Sequence, residues 1–185
     1  MKKAADLRRL GIRELAGYLC GHLRQNGLDA VLVGGACVSI YSSAEYESFD
    51  LDFVSFEEGR RIVEALKEIG FHQTTGRHFG HPQTRYYAEF LNPPVAVGQQ
   101  QLTKFRRMRT PLGTIKMLTP TDCVKDRLAA YLHWKDRQAL QQAAMVASAQ
   151  TISWSALHQW AGREGSLAVL GDLKAAVSAR NERDN

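Results

Sequence analysis

Two aspartates stand one residue apart in an otherwise apolar stretch, Asp50-Leu51-Asp52-Phe53-Val54. Successive side chains on a strand point to opposite faces, so Asp50 and Asp52 would project from the same face. Two carboxylates this close repel each other unless a cation lies between them. Mg²⁺ is commonly held in this way, by one or two carboxylates together with substrate phosphates. The spacing therefore indicates either a divalent-metal site or an exposed strand end at which the carboxylates cap a turn.

A double glycine, Gly34-Gly35, comes shortly before the aspartate pair. It follows residues 30–33, an apolar run that predicts a buried strand, and it precedes a predicted short helix over residues 36–41. Backbone N–H groups at such a junction can face a phosphate, and glycine allows close approach because it has no Cβ. A Gly-Gly after a strand is also a common tight turn. Combined with the aspartates and with Ser48 before them, it predicts a triphosphate cradle beside a metal pair.

These stretches together resemble the nucleotidyltransferase superfamily typified by DNA polymerase β, in its small bacterial branch. Members carry an apolar strand ending in Gly-Gly or Gly-Ser, a short helix, and a strand with Asp-x-Asp between apolar residues. The matching segments are residues 31–35 and 48–54. The resemblance implies these site residues: Asp50, Asp52 and Glu89 for the metals, and Gly34, Gly35 and Ser48 for the nucleotide. Glu89 is the candidate for a third carboxylate on a later strand; a Glu facing solvent there is the competing interpretation.

A polar and an apolar face alternate over residues 122–148, for which we predict one long helix. At about 100° per residue, the polar side contains Asp122, Lys125, Asp126, His133, Asp136 and Arg137, and the opposite side contains Val124, Leu128, Tyr131 and Trp134. An amphipathic helix with a solvated, salt-bridged face explains this pattern. The segment also resembles the helical region after the catalytic sheet in abortive-infection nucleotidyltransferase toxins. That resemblance implies that Lys125 contacts the triphosphate and that Asp136 orients a partner or a metal-bound water. The Asp136-Arg137 order is the reverse of the family's pair.

Two basic stretches are further candidates. The first contains His72, Arg77, His78, His81 and Arg85. Its glycine and proline indicate a loop without nearby cysteines, which disfavours zinc and favours a basic loop that contacts an acceptor or the nucleotide. The second, residues 104–109, is a basic cluster with one aromatic residue; RNA-backbone contact and a solvated hairpin explain it equally well.

The composition restricts the class of protein. The chain has 185 residues, of which 44% are hydrophobic and 23% charged, which is typical of a globular domain with its own core. The net charge is +5 and the isoelectric point is near 9.2, which is compatible with polyanionic partners. Three isolated cysteines predict a reducing compartment without disulfides. We therefore expect a cytoplasmic protein with no membrane segment and no secretory signal.

The predicted architecture is α+β, a nucleotidyltransferase fold with a small mixed β-sheet flanked by helices and a C-terminal helical region. We expect residues 1–119 to form the core and residues 120–185 to form a helical region packed on the core, with Thr121 as a helix cap. Strands are expected over residues 51–54, 85–91 and 113–118, with residues 95–97 as a hairpin partner. Further helices are expected over residues 7–23, 57–69, 154–162 and 166–179.

The predicted activity is Mg²⁺- or Mn²⁺-dependent transfer of a nucleoside monophosphate from a nucleoside triphosphate to a hydroxyl acceptor, RNA or protein. The resemblance further suggests a toxin or phage-defence component with a cognate antitoxin. The alternatives are a catalytically weak or inactive binding module of the same fold, and an antibiotic nucleotidyltransferase. No nucleophile-elbow or phosphate-loop motif occurs in the sequence, which disfavours hydrolases and P-loop enzymes. Nucleotide-sugar glycosyltransferases need a larger sheet before their Asp-x-Asp.

Overall fold

Seven of the strands form one mixed sheet in the computed structural model, which describes residues 6–183. The strands are β1 (Val31–Val33), β2 (Asp50–Val54), β3 (His72–Gln73), β4 (His78–Gly80), β5 (Tyr87–Leu91), β6 (Ala96–Val97), β7 (Gln100–Gln101), β8 (Arg106–Thr110) and β9 (Gly113–Met117). Their order in the sheet is β3-β4-β5-β2-β1-β9-β8, and β6 and β7 form a separate hairpin. Strand β1, which leads into the double glycine, and strand β2, which carries the aspartates, thus have neighbours on both sides.

Seven α-helices occur between residues 6 and 183. They are α1 (Ile12–Gln25), α2 (Gly34–Tyr41), α3 (Gly59–Glu68), α4 (Pro120–Trp134), α5 (Arg137–Ala149), α6 (Trp154–Arg163) and α7 (Val169–Asn181). A short 3-10 turn at Leu7–Arg9 precedes α1, so the helix predicted over residues 7–23 is divided where Gly11 becomes the N-cap of α1. The described chain contains no helix with both the length and the apolar character needed to cross a bilayer.

The chain divides into two compact units. The sheet unit contains residues 6–36, Ser48–Pro94 and Arg106–Met117, and the helical unit contains Cys37–Glu47, Val95–Phe105 and residues 118–183. The helical unit is therefore discontinuous in sequence, unlike the predicted division at residue 119.

Specific hydrogen bonds tie the two early segments to the C-terminal helices of the helical unit. The Tyr41 hydroxyl donates to the Leu118 carbonyl at 2.5 Å, and the Gln150 side chain donates to the Tyr41 carbonyl at 3.0 Å. The indole N–H of Trp160 donates to the Val97 carbonyl at 3.4 Å. These bonds join residues 63 to 109 positions apart, which explains why the sequence gives no local sign of them.

In the sheet unit, α1 packs directly against the β8–β9 hairpin because small residues allow close approach. A Cβ on Gly17 would overlap the Thr110 side chain, and one on Gly113 would overlap the Gly17 carbonyl and Gly21. Leu15 and Leu19 of the same helix are completely buried. Any larger side chain at Gly17 or Gly113 would force α1 away from the sheet.

Three local predictions are wrong. Residues 95–97 do not pair with β5; β6 pairs with β7, following the break at Asn92-Pro93-Pro94. Thr119, and not Thr121, is the N-cap of α4, since its hydroxyl accepts the Asp122 N–H at 3.1 Å and Pro120 takes the first helical position, where its missing N–H costs nothing. The long helix from residue 122 is also two helices, because Lys135 adopts a left-handed conformation with φ 53°.

The predicted solvated face of α4 is wrong as well. Asp122 and Lys125 are buried at 9% and 4% exposure, together with Cys123, Val124 and Leu128. Trp134, assigned to the apolar side, is 82% exposed. The buried charges are tolerated because they pair with each other, whereas Trp134 lies at the last turn of α4, immediately before the chain direction changes at Lys135.

Candidate active site

Asp50 and Asp52 lie on the same face of β2, and their neighbours in the strand form the core. Leu51 and Phe53 are completely buried, whereas Asp50 is exposed and Asp52 is half-buried. This alternation follows from the two-residue period of a strand with one apolar face. The two carboxylates therefore lie at a sheet surface open to a ligand.

Neighbouring strands bring two more predicted residues to Asp52. In the antiparallel β1–β2 pair, Val33 is opposite Asp52, so Gly34 follows directly at this edge. In the parallel β2–β5 pair, Glu89 is opposite Asp52. Asp52 is thus central, with the start of α2 on one side and Glu89 on the other.

The start of α2 is shaped around the Asp52 carboxylate. Gly34 has a φ of 67°, in the left-handed region, and a Cβ at this position would lie 2.5 Å from Oδ2 of Asp52. Glycine is therefore required for two independent reasons, the backbone conformation and the close approach of the carboxylate. Gly35 is the next residue of the helix and is half-buried.

Ser48 lies two residues before Asp50, the first residue of β2, and bonds to its backbone. Its side chain is 8% exposed, and its hydroxyl donates to the Asp50 carbonyl at 3.1 Å. In this arrangement Ser48 fixes the backbone that presents Asp50, which is a positioning role.

Glu89 has two basic side chains from the adjacent hairpin as neighbours. Nη2 of Arg77 lies 3.3 Å from Oε1 of Glu89, and Nε2 of His78 lies 3.4 Å from Oε2. His78 is opposite Glu89 in the antiparallel β4–β5 pair, so the contact follows from strand register. Glu89 is accordingly a partly buried, ion-paired carboxylate, and neither of the two interpretations of the sequence anticipated Arg77 and His78 as its partners.

Within residues 6–183, no group of three or more His, Cys, Asp or Glu side chains is arranged to hold a metal ion. Asp50 and Asp52 suit a divalent cation that takes its remaining ligands from substrate phosphates and water. The predicted basic loop is in large part a hairpin, with His72 in β3 and His78 in β4. The three histidines do not form a group: His78 contacts Glu89, and His81 packs on Phe71 with ring centroids 5.1 Å apart. Burial and the nearby charge of His72 lower the pKa of His81.

Lys125 and Asp136 belong to the helical unit, and each has local partners there. The Lys125 ammonium donates to Oδ1 of Asp122 at 2.9 Å and to the Gln100 side chain at 3.3 Å. Asp136 is the N-cap of α5, accepting the N–H groups of Gln138 and Ala139 at 2.9 and 3.3 Å. Both contacts are typical of structural roles: a buried ion pair and a helix cap.

An aromatic and arginine cluster lies next to Asp50, and only its Arg85 was predicted, as part of a basic stretch. The rings of Phe49 and Tyr86 are stacked with centroids 6.2 Å apart, and the Arg85 guanidinium lies 5.1 and 5.3 Å from the two centroids. Arg85 also lines an open groove of about 600 Å³, the arginine groove, formed by residues 7–11 and 82–86. The available signal was the Arg85-Tyr86 pair at the start of the strand predicted over residues 85–91, with Phe49 directly before the aspartates.

Comparison with known proteins identifies the fold. No family model and no curated protein matches the sequence. The structure is similar to the crystal structure of an antigenic nucleotidyltransferase-like protein from Paracoccidioides brasiliensis, with a TM-score of 0.61 and 14% sequence identity. The match covers 89% of this chain and 92% of that chain. The predicted α+β nucleotidyltransferase-like fold, with its mixed sheet and helical C-terminal region, is confirmed.

Proposed function

We propose that the protein is a metal-dependent nucleotidyltransferase that moves a nucleoside monophosphate from a nucleoside triphosphate to a hydroxyl acceptor. One observation supports the proposal most directly: Asp50 and Asp52 share the ligand-facing side of β2, and Asp52 lies against the first residue of α2. This chemistry requires a metal pair and a phosphate-binding helix start, and the residues proposed for these two tasks adjoin.

The proposal uses four residues of the sheet unit, in two tasks. Asp50 and Asp52 would hold Mg²⁺ or Mn²⁺ together with substrate phosphates, and the start of α2 at Gly34-Gly35 would contact the triphosphate through its backbone N–H groups. A bound divalent cation supplies charge neutralisation at the phosphates and lowers the pKa of the acceptor hydroxyl. Lys125 and Asp136 enter the proposed site only through the resemblance, since both have partners within the helical unit.

The proposed transfer balances as a single displacement. The acceptor oxygen bonds to the α-phosphorus, and the bond from that phosphorus to the bridging oxygen breaks. Pyrophosphate leaves with the electron pair of that bond, and the hydroxyl proton passes to water. Fixed positive groups near the phosphates stabilise the charge that develops.

The experiment is transfer of α-³²P-labelled nucleotides to total RNA and to cell-extract protein in the presence of Mg²⁺ or Mn²⁺. We expect Asp50→Asn and Asp52→Asn each to reduce transfer by about 100-fold or more, because a carboxylate that holds a catalytic metal contributes several kcal/mol to the transition state. Asp172→Asn, at an exposed position of the helical unit, is the matched control and should retain activity. Full activity in both active-site variants would refute the proposal.

A binding module without catalysis is the second candidate, and the ion pairs of Glu89 favour it. A carboxylate that already contacts Arg77 and His78 is a poor third metal ligand. Under this alternative, nucleotide and Mg²⁺ together would still raise the melting temperature in calorimetry, as ligands of the native state do. No labelled product would form with any acceptor. A toxin or phage-defence role with a cognate antitoxin, and an antibiotic acceptor, remain finer proposals within the first candidate.

A further inference from the structure

We propose that the arginine groove binds a single-stranded RNA segment of the acceptor and delivers its hydroxyl to the aspartate pair. That the hydroxyl reacts at the aspartate pair rests on the proposed function. The binding surface is argued from the structure. The proposal assigns the acceptor to RNA and locates where its strand lies.

The first observation is the position of the groove. Asp50 is opposite Tyr87 in the parallel β2–β5 pair, and the Tyr87 N–H donates to the Phe49 carbonyl at 2.9 Å. Arg85 and Tyr86 immediately precede Tyr87, and a strand advances by about 3.4 Å per residue. The arginine groove therefore lies at the end of the sheet at which β2 and β5 begin, the end that carries Asp50.

The second observation is the charge of the groove. Arg8, Arg9 and Arg85 line it, and its lining contains no carboxylate among the described residues. Asp6 lies 3.7 Å from Arg9 and offsets part of that charge. Arg8 and Arg85 are exposed. Closely spaced guanidinium groups on an open surface favour a chain of phosphates over a neutral or cationic acceptor.

The third observation is the flat surface beside these charges. Phe49 is 43% exposed and stacks on the buried Tyr86 ring, and the exposed Arg85 guanidinium lies over both rings, so Phe49 and Arg85 are the two members that solvent reaches. Aromatic and guanidinium planes bind unpaired bases by stacking, and every base offers such a face. A duplex keeps its bases stacked internally, so this surface favours a single strand. A protein acceptor has no phosphate chain and no bases, so it would match neither the guanidinium groups nor the stacking surface.

The test is binding of ³²P-labelled single-stranded RNA, about 12 nucleotides long, to the full chain by filter retention over a series of salt concentrations. Arg85→Ala should weaken binding about tenfold, since base stacking on such a platform contributes roughly 1–3 kcal/mol. Arg8→Ala should reduce the slope of log affinity against log salt by about 0.7, the value for one lost phosphate contact on a single strand.

Matched variants separate this result from a general effect of charge or folding. Arg60→Ala removes the same charge from an exposed position on α3, where Arg60 contacts Glu64, and should change neither quantity. Arg85→Lys keeps the charge without the planar group, so it should retain the salt slope and lose part of the affinity. Asp52→Asn should lose transfer and retain RNA binding, which distinguishes failure of the active site from failure of the groove.

Three outcomes would overturn the inference: equal RNA affinity of wild type, Arg8→Ala and Arg85→Ala; tighter binding of a blunt duplex than of the single strand; or labelled transfer to a protein that excess RNA does not reduce. Any of these leaves the nucleotidyl transfer proposal standing, since that depends on Asp50 and Asp52.

Discussion

At the scale of single residues, Gly34 couples backbone conformation to the position of a carboxylate. Its left-handed φ and the 2.5 Å approach of Asp52 to the place of a Cβ make the two residues one structural unit. The same feature that lets the chain turn from β1 into α2 also sets where the Asp52 carboxylate lies. Substitution at Gly34 therefore tests the geometry of the site without removing any functional group.

We expect Gly34→Ala to destabilise the protein by about 1–2 kcal/mol, the cost of a left-handed non-glycine residue, and to displace Asp52. Urea unfolding measures the first effect and Mg²⁺-dependent nucleotide binding the second. Gly171→Ala is the matched control: Gly171 lies within α7 with open space around it, so alanine should stabilise the protein by about 0.5–1 kcal/mol. Equal stabilities of the two variants would contradict this account of Gly34.

The site residues were predicted from types and spacing, but their partners were not. Asp50 and Asp52 stand out because charges interrupt an apolar run, and a strand period of two fixes their common face. The pairing of Glu89 with Arg77 and His78 depends on the register of β4 against β5. A short polar strand has no sequence pattern from which its register can be predicted. Ser48 was predicted to contact the nucleotide, which stays a prediction; its contact with the Asp50 carbonyl is a local bond to the backbone that sequence spacing cannot specify.

At the scale of elements, α4 shows why periodicity alone misplaced a polar face. Lys125 and Asp122 are three residues apart, so both fall on the face that α4 buries, and their charges neutralise each other at 2.9 Å. The hydrophobic pattern cannot reveal this, since it counts each charge separately. The buried pair, together with Thr119 at the N-cap, fixes the start of α4.

Lys125→Met should destabilise the protein by about 3–5 kcal/mol, because it leaves the Asp122 carboxylate buried without its cation. Adding Asp122→Asn should recover much of the loss, as the remaining side chain is then neutral. Urea unfolding of the single and double variants measures both effects. A nucleotide-induced rise in melting temperature that persists in the double variant would remove Lys125 from the proposed triphosphate site.

The strands were predicted unevenly, for physical reasons. Strands β1, β2, β5 and β9 were expected because they carry apolar or alternating residues. The two-residue β3 and the Arg-rich β8 lack that signal, since they lie at the two edges of the sheet and bury few side chains. Charged residues on an edge strand also discourage pairing with another sheet, so the arginines of β8 have a structural explanation that needs no RNA.

At the scale of the whole molecule, three buried thiols link stability to alkaline pH. Burial raises the pKa of Cys20 to about 11 and raises the pKa of Cys37 and Cys123 further still. Thiols stay protonated in the native state, whereas the unfolded chain ionises near pH 9. The stability that they contribute is thus complete below about pH 9 and declines as the pH rises towards the folded-state pKa.

We expect the free energy of unfolding to fall by about 1.4 kcal/mol per pH unit for each thiol above pH 9. Cys20→Ala should reduce this slope between pH 9 and about 11, the window set by the pKa of Cys20. Urea unfolding at pH 8, 9 and 10 gives the slopes of wild type and variant. Identical slopes would show that the Cys20 thiol ionises freely in the native state.

The discontinuity of the helical unit is the feature of the whole molecule that was hardest to predict from the sequence. Its early segments join the C-terminal helices through bonds such as Trp160 to Val97 and Gln150 to Tyr41, which join residues 63 and 109 positions apart. A composition change near residue 119 marks only one of its boundaries. Contacts between distant segments leave no hydrophobic periodicity in the sequence, and prediction from a single sequence depends mainly on that periodicity.

The placement of the tryptophans gives this chain a built-in optical reporter. All three belong to the helical unit: Trp160 is completely buried, Trp154 is 40% exposed beneath Lys174, and Trp134 is 82% exposed. Emission from the buried indole arises in an apolar environment, while that of Trp134 is open to collisional quenchers in solution. Tryptophan fluorescence therefore follows the helical unit alone, and replacing Trp134 by Phe would leave the emission of the buried Trp160 and the partly exposed Trp154.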